Sequence, residues 1–251
     1  MKLKKPITFV GIGVSFIKPP LLAEDIIKKA DEIFLENLTP KIEQPIEQEE
    51  SKLEISLKTD ILTKYVGRGI IFADNPVIQQ TAGLSYDNLS VILFGSLGKE
   101  RGSTELDGTI EYSLSKSPNL FAGYTFYKLI NQNLEKTQEV YVGIGIDTSL
   151  NPNLVLIHDF DGGKGDYIKL SLNEAFKVKD INLSAGLAVG YNNHYFRKDS
   201  GLGNIDFNIS ASVPISKAIT LTPTLNYSHS FTDDFKSGGF YGGMSLAYES
   251  E

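Results

Sequence analysis

Apolar and polar side chains alternate along most of the chain from Lys52 onward, which is the period of a β-strand. The first stretch of this kind spans residues 52–72, and one of its faces is apolar: Leu53, Ile55, Leu57, Ile61 and Tyr65. The other face is mostly charged: Glu54, Ser56, Lys58, Asp60, Lys64 and Arg68. A soluble sandwich would turn the apolar face to its core, whereas a membrane barrel would turn it to lipid. This strand alone leaves both interpretations open.

Twelve segments with this period follow one another to the C terminus: 52–66, 76–86, 89–98, 104–116, 119–130, 137–150, 153–160, 165–177, 180–193, 203–214, 217–231 and 239–249. Tight turns, as at 87–88 and 151–152, alternate strictly with longer links, as at 67–75 and 194–202. An up-and-down barrel predicts this alternation, and a Greek-key sandwich does not. We therefore predict an all-β fold, a transmembrane up-and-down antiparallel β-barrel of about 12 strands.

The N-terminal part of the chain differs from the barrel region. Its first five residues, MKLKK, precede a short apolar run, the order found in a secretory signal. That run is too short for a membrane-spanning helix, which needs about 20 residues. We predict a signal peptide over 1–23, a short periplasmic amphipathic helix with a Pro- and Glu-rich linker over 24–51, and the barrel over 52–251. Residues 24–51 would either dock on a partner or act as a spacer, and the spacer is favoured because such short helices are marginal in water.

Composition narrows the possible functions. The net charge of -7 argues against nucleic-acid binding, since no basic face is available to neutralise phosphates. The chain has no Cys, which excludes a thiolate metal site and a cysteine nucleophile. In the last strand, the alternation of Gly243, Leu246 and Tyr248 is similar to the terminal signal that barrel-assembly machinery reads. The expected partners are therefore this machinery and outer-membrane lipid, with the protein in the cell outer membrane and both termini in the periplasm.

One region resembles a known family. Residues 63–70 (TKYVGRGI) and 75–79 (NPVIQ) resemble the opening strand and loop, S-x-Y-x-x-R-G-I followed by x-P-x-x-Q, of the TorF-type putative porins. The start of the fourth strand, Glu105-Leu106-Asp107, is similar as well. The match covers about fifty residues. It implies an outer-membrane barrel with a pore role and implies no catalytic residues.

Candidate chemistry outside a pore is sparse. A barrel lipase would need a serine, a histidine and an orienting group on the lipid-facing side, and His229 is the candidate there. His194 is predicted on the interior face. Asp159, Asp161 and Asp166 lie among glycines that could form a Ca²⁺ loop, but their spacing does not match an EF-hand and an ordinary Gly-rich turn is favoured. We predict no cofactor, no metal and no catalytic site.

The polar face of the strands is the main functional signal. Its acids are Glu54, Asp60, Glu105, Asp107, Glu111, Glu139, Asp147 and Asp206, and its bases are Lys58, Lys64, Arg68 and Lys169. Acids lead by eight to four, so a wet lumen would favour cations. The predicted pore-lining residues are Lys58, Asp60, Lys64, Arg68, Glu105, Asp107, Glu111, Lys169 and Asp206. Equally, these charges could pair across a small lumen and close it.

The sequence therefore predicts a narrow, passive, weakly cation-favouring channel for small polar solutes or ions. Two alternatives stay open: a barrel enzyme acting on lipid, and a closed barrel with a structural or surface-interaction role. Because the longer links are still short, the sequence argues against large receptor loops and against a long constriction loop folded inward.

Overall fold

The computed structural model describes residues 53–99, 104–130, 136–232 and 236–250. All of them belong to one compact unit, Ser51–Glu251. The predicted signal peptide (1–23) and the predicted helix and linker (24–51) lie outside the described residues. Within the described part, no helix is long and apolar enough to cross a membrane.

The described residues form fourteen strands. They are β1 (Leu53–Leu62), β2 (Tyr65–Gly67), β3 (Ile70–Ala73), β4 (Val77–Tyr86), β5 (Leu89–Gly98), β6 (Thr104–Lys116), β7 (Asn119–Ile130), β8 (Lys136–Gly145), β9 (Asn153–Asp159), β10 (Gly165–Val178), β11 (Ile181–Asn193), β12 (Ser200–Pro214), β13 (Ile219–Ser230) and β14 (Gly239–Glu249). Strands β2 and β3 pair only with each other. The other twelve form a closed antiparallel barrel in which chain neighbours pair and β14 closes on β1. The predicted fold class is thereby confirmed.

Two predicted strands are too long. The first, 52–66, ends at Leu62, because the chain leaves the wall at Thr63. The sixth, 137–150, corresponds to β8, which ends at Gly145. Asp147, predicted to line the interior, therefore lies in an exposed link between β8 and β9. Alternation of apolar and polar residues continued past both strand ends, so the pattern did not mark them.

The outer surface of the barrel is apolar. Each barrel strand exposes alternate large side chains, such as Leu57 at 51% and Ile110 at 53%. Exposed aromatic residues lie near both ends of the strands: Tyr86, Tyr112, Phe176 and Tyr248 at one end, and Phe160, Tyr191, Phe231 and Phe240 at the other. An apolar band between two aromatic girdles is the surface that a barrel presents to a bilayer.

The two ends of the barrel differ. One end, here the turn end, carries both ends of the barrel chain and links that are short except for residues 146–152 between β8 and β9. The opposite loop end carries the longer links, including residues 63–76 between β1 and β4. Inside, the half toward the turn end is lined mainly by small polar side chains, including Ser56, Ser171 and Ser184. The half toward the loop end contains buried larger ones, including Glu139 and Tyr167.

The link between β1 and β4 folds into the barrel as a β-hairpin, here called the inserted hairpin (Tyr65–Ala73). The Tyr65 ring stacks on Phe72 at 4.8 Å and lies 6.3 Å from Phe94 of β5. Ala73, at its base, is 1% exposed. The sequence argued only against a long constriction loop and did not predict this short hairpin, whose nine residues enter the lumen by pairing with each other.

Candidate functional site

The tip of the inserted hairpin is a tight turn at Arg68-Gly69. Both residues have positive φ, 52° and 77°, as a two-residue hairpin turn with right-handed strand twist requires. A Cβ on Gly69 would lie 2.7 Å from the Cβ of Asn204 on β12. Asn204 is fully buried and its amide is held by Tyr167 and Asp206. Glycine at position 69 therefore lets the tip rest against a fixed side chain of the wall.

Arg68 extends from this tip to β8 and binds Glu139. Its Nη1 donates to Oε1 at 2.6 Å, and its Nη2 donates to Oε2 at 2.9 Å. Glu139 is 1% exposed, whereas the Arg68 side chain is 26% exposed. A two-point guanidinium–carboxylate contact fixes both orientation and distance. The Arg68–Glu139 pair therefore connects the inserted hairpin to the barrel wall through the interior.

Tyrosines enclose this pair. Tyr127 donates to Glu139 Oε2 at 2.8 Å and Tyr195 donates to Oε1 at 2.5 Å. The Arg68 guanidinium also lies over two rings, 5.4 Å from the Tyr167 centroid and 5.1 Å from that of Tyr195. Phenol hydroxyls satisfy the remaining carboxylate lone pairs, and the ring faces stabilise the cation. The buried charges are thus compensated on all sides.

Tyr65 is not on the lipid face, where the alternation of the first strand placed it. Its hydroxyl donates to Glu105 Oε2 at 2.6 Å inside the barrel. The reason is the break at Thr63, which ends the strand and reverses the direction of the following side chains. Glu105 and Asp107 both face inward from β6 and are 5% and 7% exposed. One oxygen of Asp107, Oδ1, has no hydrogen-bond partner among the described residues.

A polar space lies on the turn-end side of Arg68, here called the inner chamber. Its volume is about 220 Å³. Side chains of the hairpin and of β10 to β14 line it: Val66, Arg68, Lys169, Ser171, Asn173, Asp206, Asn208, Asn226 and Tyr241. An adjoining cavity of about 290 Å³ also has Arg68, Lys169 and Asp206 in its wall, together with Glu139. Lys169 is exposed within this space.

A further cavity of about 230 Å³ borders Arg68 near the inserted hairpin. It is lined by Tyr65, Phe72, Glu105, Tyr127, Tyr195 and Phe196, among others. Arg68 thus borders each of these three cavities. Arg68 shares this position with Tyr127, which borders two of the cavities, and with Lys169 and Asp206, which also border two.

Lys64 lies near the loop end rather than deep in the interior. Its Nζ is 2.9 Å from Asp74 Oδ1 and donates to the carbonyl of Gly238 at 3.1 Å. Lys236, from the link between β13 and β14, is 3.1 Å from the other Asp74 oxygen. The ammonium of Lys64, and then that of Lys236, holds the pKa of the Asp74 carboxyl below its usual value. This contact ties the base of the hairpin to the neighbouring loop.

The remaining predicted residues face the interior at separate places. Lys58 on β1 pairs with Asp60 at 3.0 Å, and Asp60 also accepts from Ser245. Glu111 on β6 accepts from the Tyr141 hydroxyl at 2.8 Å. Sequence analysis placed Glu139 among the interior acids but did not single it out. The tyrosines around Arg68 were missed, since Tyr127 and Tyr167 look like any strand aromatic and Tyr195 lies in a link.

The histidines do not form a catalytic triad in the described part of the chain. His194 is exposed rather than interior, because its φ of 62° ends the strand. Its Nδ1 is near both Asn193 Oδ1 (2.9 Å) and Ser200 Oγ (3.2 Å), so one ring nitrogen faces both groups. A triad needs the orienting group on one nitrogen and the nucleophile on the other. His229 has Ser237 at 3.1 Å and packs on Phe231.

The aspartate-rich link between β9 and β10 is an ordinary turn. Asp159 is fully buried, and its Oδ1 accepts from the backbone N–H groups of Asp161 (3.0 Å), Gly163 (2.8 Å) and Lys164 (3.3 Å). Its Oδ2 accepts from Thr137 at 2.5 Å. The carboxylate is occupied by the turn itself. Within the described ranges, no group of three acidic or histidine side chains is placed to hold a metal ion.

Comparison with known proteins shows the fold. No family model matches the chain, and no curated protein matches it. The NanC porin superposes with a TM-score of 0.52 at 8% identity, over 78% of this chain and 98% of that one. A further match is an outer-membrane channel from Pseudomonas putida F1, with a TM-score of 0.40 at 13% identity, over 80% of this chain and 95% of that one. Another is the translocator domain of autotransporter NalP from Neisseria meningitidis, with a TM-score of 0.43 at 11% identity, over 90% of this chain and 95% of that one.

The class of fold is therefore a closed 12-stranded barrel of the outer-membrane type, similar to that of a porin. The finer resemblance to TorF-type porins has no matching family model and stays a prediction. Its key residues, 63–70, form the link after β1, the strand β2, the turn of the inserted hairpin and the first residue of β3.

Proposed function

We propose that this protein is a narrow, passive outer-membrane channel for small polar solutes or ions, and that it weakly favours cations. The observation that carries the proposal is the polar interior: cavities lie on several sides of Arg68, and Lys169 is exposed among them. A barrel filled to act only as a membrane anchor would have no need of an exposed charge inside. The proposed constriction of the path is the Arg68–Glu139 pair, because Arg68 borders all three cavities.

The cation preference follows from the charges around this point. Arg68 is paired with Glu139, and the nearby interior carboxylates of Glu105, Asp107 and Asp206 outnumber Lys169. Low-dielectric walls concentrate the resulting negative potential along the path. The turn end, with both ends of the barrel chain, faces the periplasm, and the loop end faces outward, as in other outer-membrane barrels. Lipid and the barrel-assembly machinery are the partners of this arrangement.

Recordings in planar bilayers test this function. Purified protein should give small discrete conductance steps in KCl, and under a KCl gradient the reversal potential should lie on the side of K⁺. Absence of conductance at every voltage would remove the channel, and a reversal potential on the side of Cl⁻ would remove the cation preference. Neither channel activity nor selectivity requires a cofactor, a metal or a catalytic residue.

A second candidate, a closed barrel with a structural role, is favoured by one observation. The inserted hairpin is held by stacking, by Tyr65–Glu105 and by Arg68–Glu139, which is more than a loop needs merely to line a pore. The variant Arg68→Ala separates the two. A channel would conduct as the wild type and at least as well in this variant, whereas a closed barrel would be silent as the wild type and would conduct only after the variant releases the hairpin.

A further inference from the structure

Two opposite charges border the inner chamber without pairing with each other. Lys169 on β10 forms no hydrogen bond or ion pair with any described residue, and it is exposed to the chamber. Asp206 on β12 has a buried Oδ1 without a hydrogen-bond partner, while its Oδ2 accepts from Asn204 at 2.7 Å. Neither charge has a counter-charge within 4 Å among the residues that the structure describes. Lys169 is therefore available to a solute, and Asp206, which is half-buried in the chamber wall, places a fixed negative charge beside it.

The wall keeps these charges apart. Strand β11 lies between β10 and β12, and its interior residues next to them are Ala188 and Gly190. Ala188 lines the chamber, whereas the space in front of Gly190 is filled by the Tyr167 hydroxyl and by Asn204 Oδ1. Asn204, whose side-chain amide donates to Asp206, also accepts a hydrogen bond from the Tyr167 hydroxyl at 2.9 Å. The hairpin tip at Gly69 packs against it. The carboxylate is thus fixed in position before any solute enters.

The remaining wall is neutral and polar. Asn173, Asn208 and Asn226 supply amide donors and acceptors, and Tyr241 supplies a hydroxyl. The chamber volume of about 220 Å³ equals about seven water molecules at about 30 Å³ each. The space therefore admits a small solute.

From these features we propose that the inner chamber binds a small zwitterion of the α-amino-acid class, with its carboxylate toward Lys169 and its ammonium toward Asp206. An anion would pair with Lys169 but be repelled by Asp206, and a cation would pair with Asp206 but be repelled by Lys169. A neutral polyol would leave both charges without a partner. A zwitterion satisfies both at once. This inference rests on the proposed channel function for its biological meaning, because a channel needs binding that is favourable but weak. We expect a dissociation constant on the order of 1 mM.

Four probes of similar size test the charge requirement: L-serine, ethanolamine, 3-hydroxypropionate and glycerol. Binding is measured by saturation-transfer NMR on the intact protein in detergent micelles, so that the result does not depend on conduction. Serine should bind at least about tenfold more tightly than each of the other three, which lack one charge or both. Equal binding of serine and glycerol would overturn the proposal, as would equal binding of serine and either singly charged probe.

Variants then test the position. Lys169→Met and Asp206→Asn should each weaken serine binding by about tenfold or more, and the exchanged pair Lys169→Asp with Asp206→Lys should restore part of it. Lys177→Met and Asp180→Asn, at the turn end of β10 and in the turn after it, are matched controls and should leave serine binding unchanged. Far-UV circular dichroism verifies that each barrel is folded.

These outcomes separate two failures. Serine binding unaffected by Lys169→Met and Asp206→Asn would overturn the site. KCl conductance of the same preparations reports on the channel independently: serine binding without conductance would refute the channel and keep the site, and conductance without serine binding would do the opposite.

Discussion

Arg68 and Glu139 are 71 residues apart in the chain and form two parallel hydrogen bonds, of 2.6 and 2.9 Å, inside the barrel. One residue belongs to an inserted hairpin and the other to the wall. The pair is therefore one of the contacts that hold the hairpin inside the barrel. Removing one partner of such a pair leaves an uncompensated charge, which costs more than the pair itself contributes.

The variant Glu139→Gln should release the hairpin. It leaves the Arg68 cation inside a largely enclosed site, at a cost of about 3–5 kcal/mol that withdrawal of the hairpin would relieve. We expect larger conductance steps in planar bilayers and faster proteolysis at residues 65–73. Arg68→Lys keeps the charge but loses the two-point contact, so its effect should be smaller and in the same direction. Unchanged conductance in Glu139→Gln would mean that the pair does not limit the path.

Ion preference separates Arg68 from Lys64. Removing the Arg68 charge leaves Glu139, Glu105 and Asp107 without a nearby cation, so Arg68→Ala should shift the reversal potential further toward K⁺. Lys64 forms an ion pair with Asp74 near the loop end, so Lys64→Ala should shift the reversal potential less than Arg68→Ala does. Measurements under a KCl gradient check both variants. A double variant Lys64→Ala/Arg68→Ala with wild-type selectivity would show that these residues do not line the conducting path.

Gly69→Ala tests the contact between the hairpin tip and the wall. The added Cβ would lie 2.7 Å from the Cβ of Asn204. The alanine would also have to keep a φ of 77°, which costs about 1–3 kcal/mol of backbone strain. We expect the hairpin to be displaced and the conductance to rise. Gly239→Ala is the matched control, because Gly239 also has a positive φ, 60°, but no atom within 4 Å of its Cβ. If both variants behave alike, backbone strain and not the Asn204 contact is responsible.

Acid should abolish the contact of Asp74 with Lys64 and Lys236. Since the pKa of Asp74 is lowered in the folded protein, the stabilisation is present above the unfolded pKa of about 4 and is lost as the pH falls through the lower folded value. Asp74→Asn should therefore differ from the wild type in the rate of hairpin opening at pH 5 and pH 7, and the difference should vanish well below pH 4. Current noise recorded across this pH range measures the rate. A difference that persists below the folded pKa would contradict this role.

The strands were predictable because the bilayer imposes a rule on every second residue. Leu57 and Ile110 face lipid and their chain neighbours face the interior. The alternation of apolar and polar residues was therefore enough to predict the strands β1 and β6 and their lipid-facing sides. The inserted hairpin was not predicted, although residues 65–73 contain its signal: Gly67-Arg68-Gly69 between short apolar runs is a turn. Tyr65 continued the alternation of β1 by coincidence, and this concealed the break at Thr63.

The partners within the interior could not be predicted for a different reason. Alternation indicates that Glu139 and Arg68 face the same space, but their contact depends on how far the hairpin reaches across it. That depth is set by Gly69 against Asn204, a contact between residues 135 positions apart. Charge counting predicts a negative interior but cannot predict which charges pair.

The outer face of β6 offers the most direct test of the membrane fold. Ile110, midway along β6, is 53% exposed, and a lysine there should lower the free energy of unfolding by about 2–4 kcal/mol in lipid vesicles. Thr109, the preceding residue, faces the interior, where its hydroxyl lies 2.9 Å from that of Thr125. Thr109→Lys should cost less, because its ammonium can reach the polar interior. Urea unfolding in vesicles compares the two, and a larger loss for Thr109→Lys than for Ile110→Lys would contradict the assignment of faces on which the channel proposal depends.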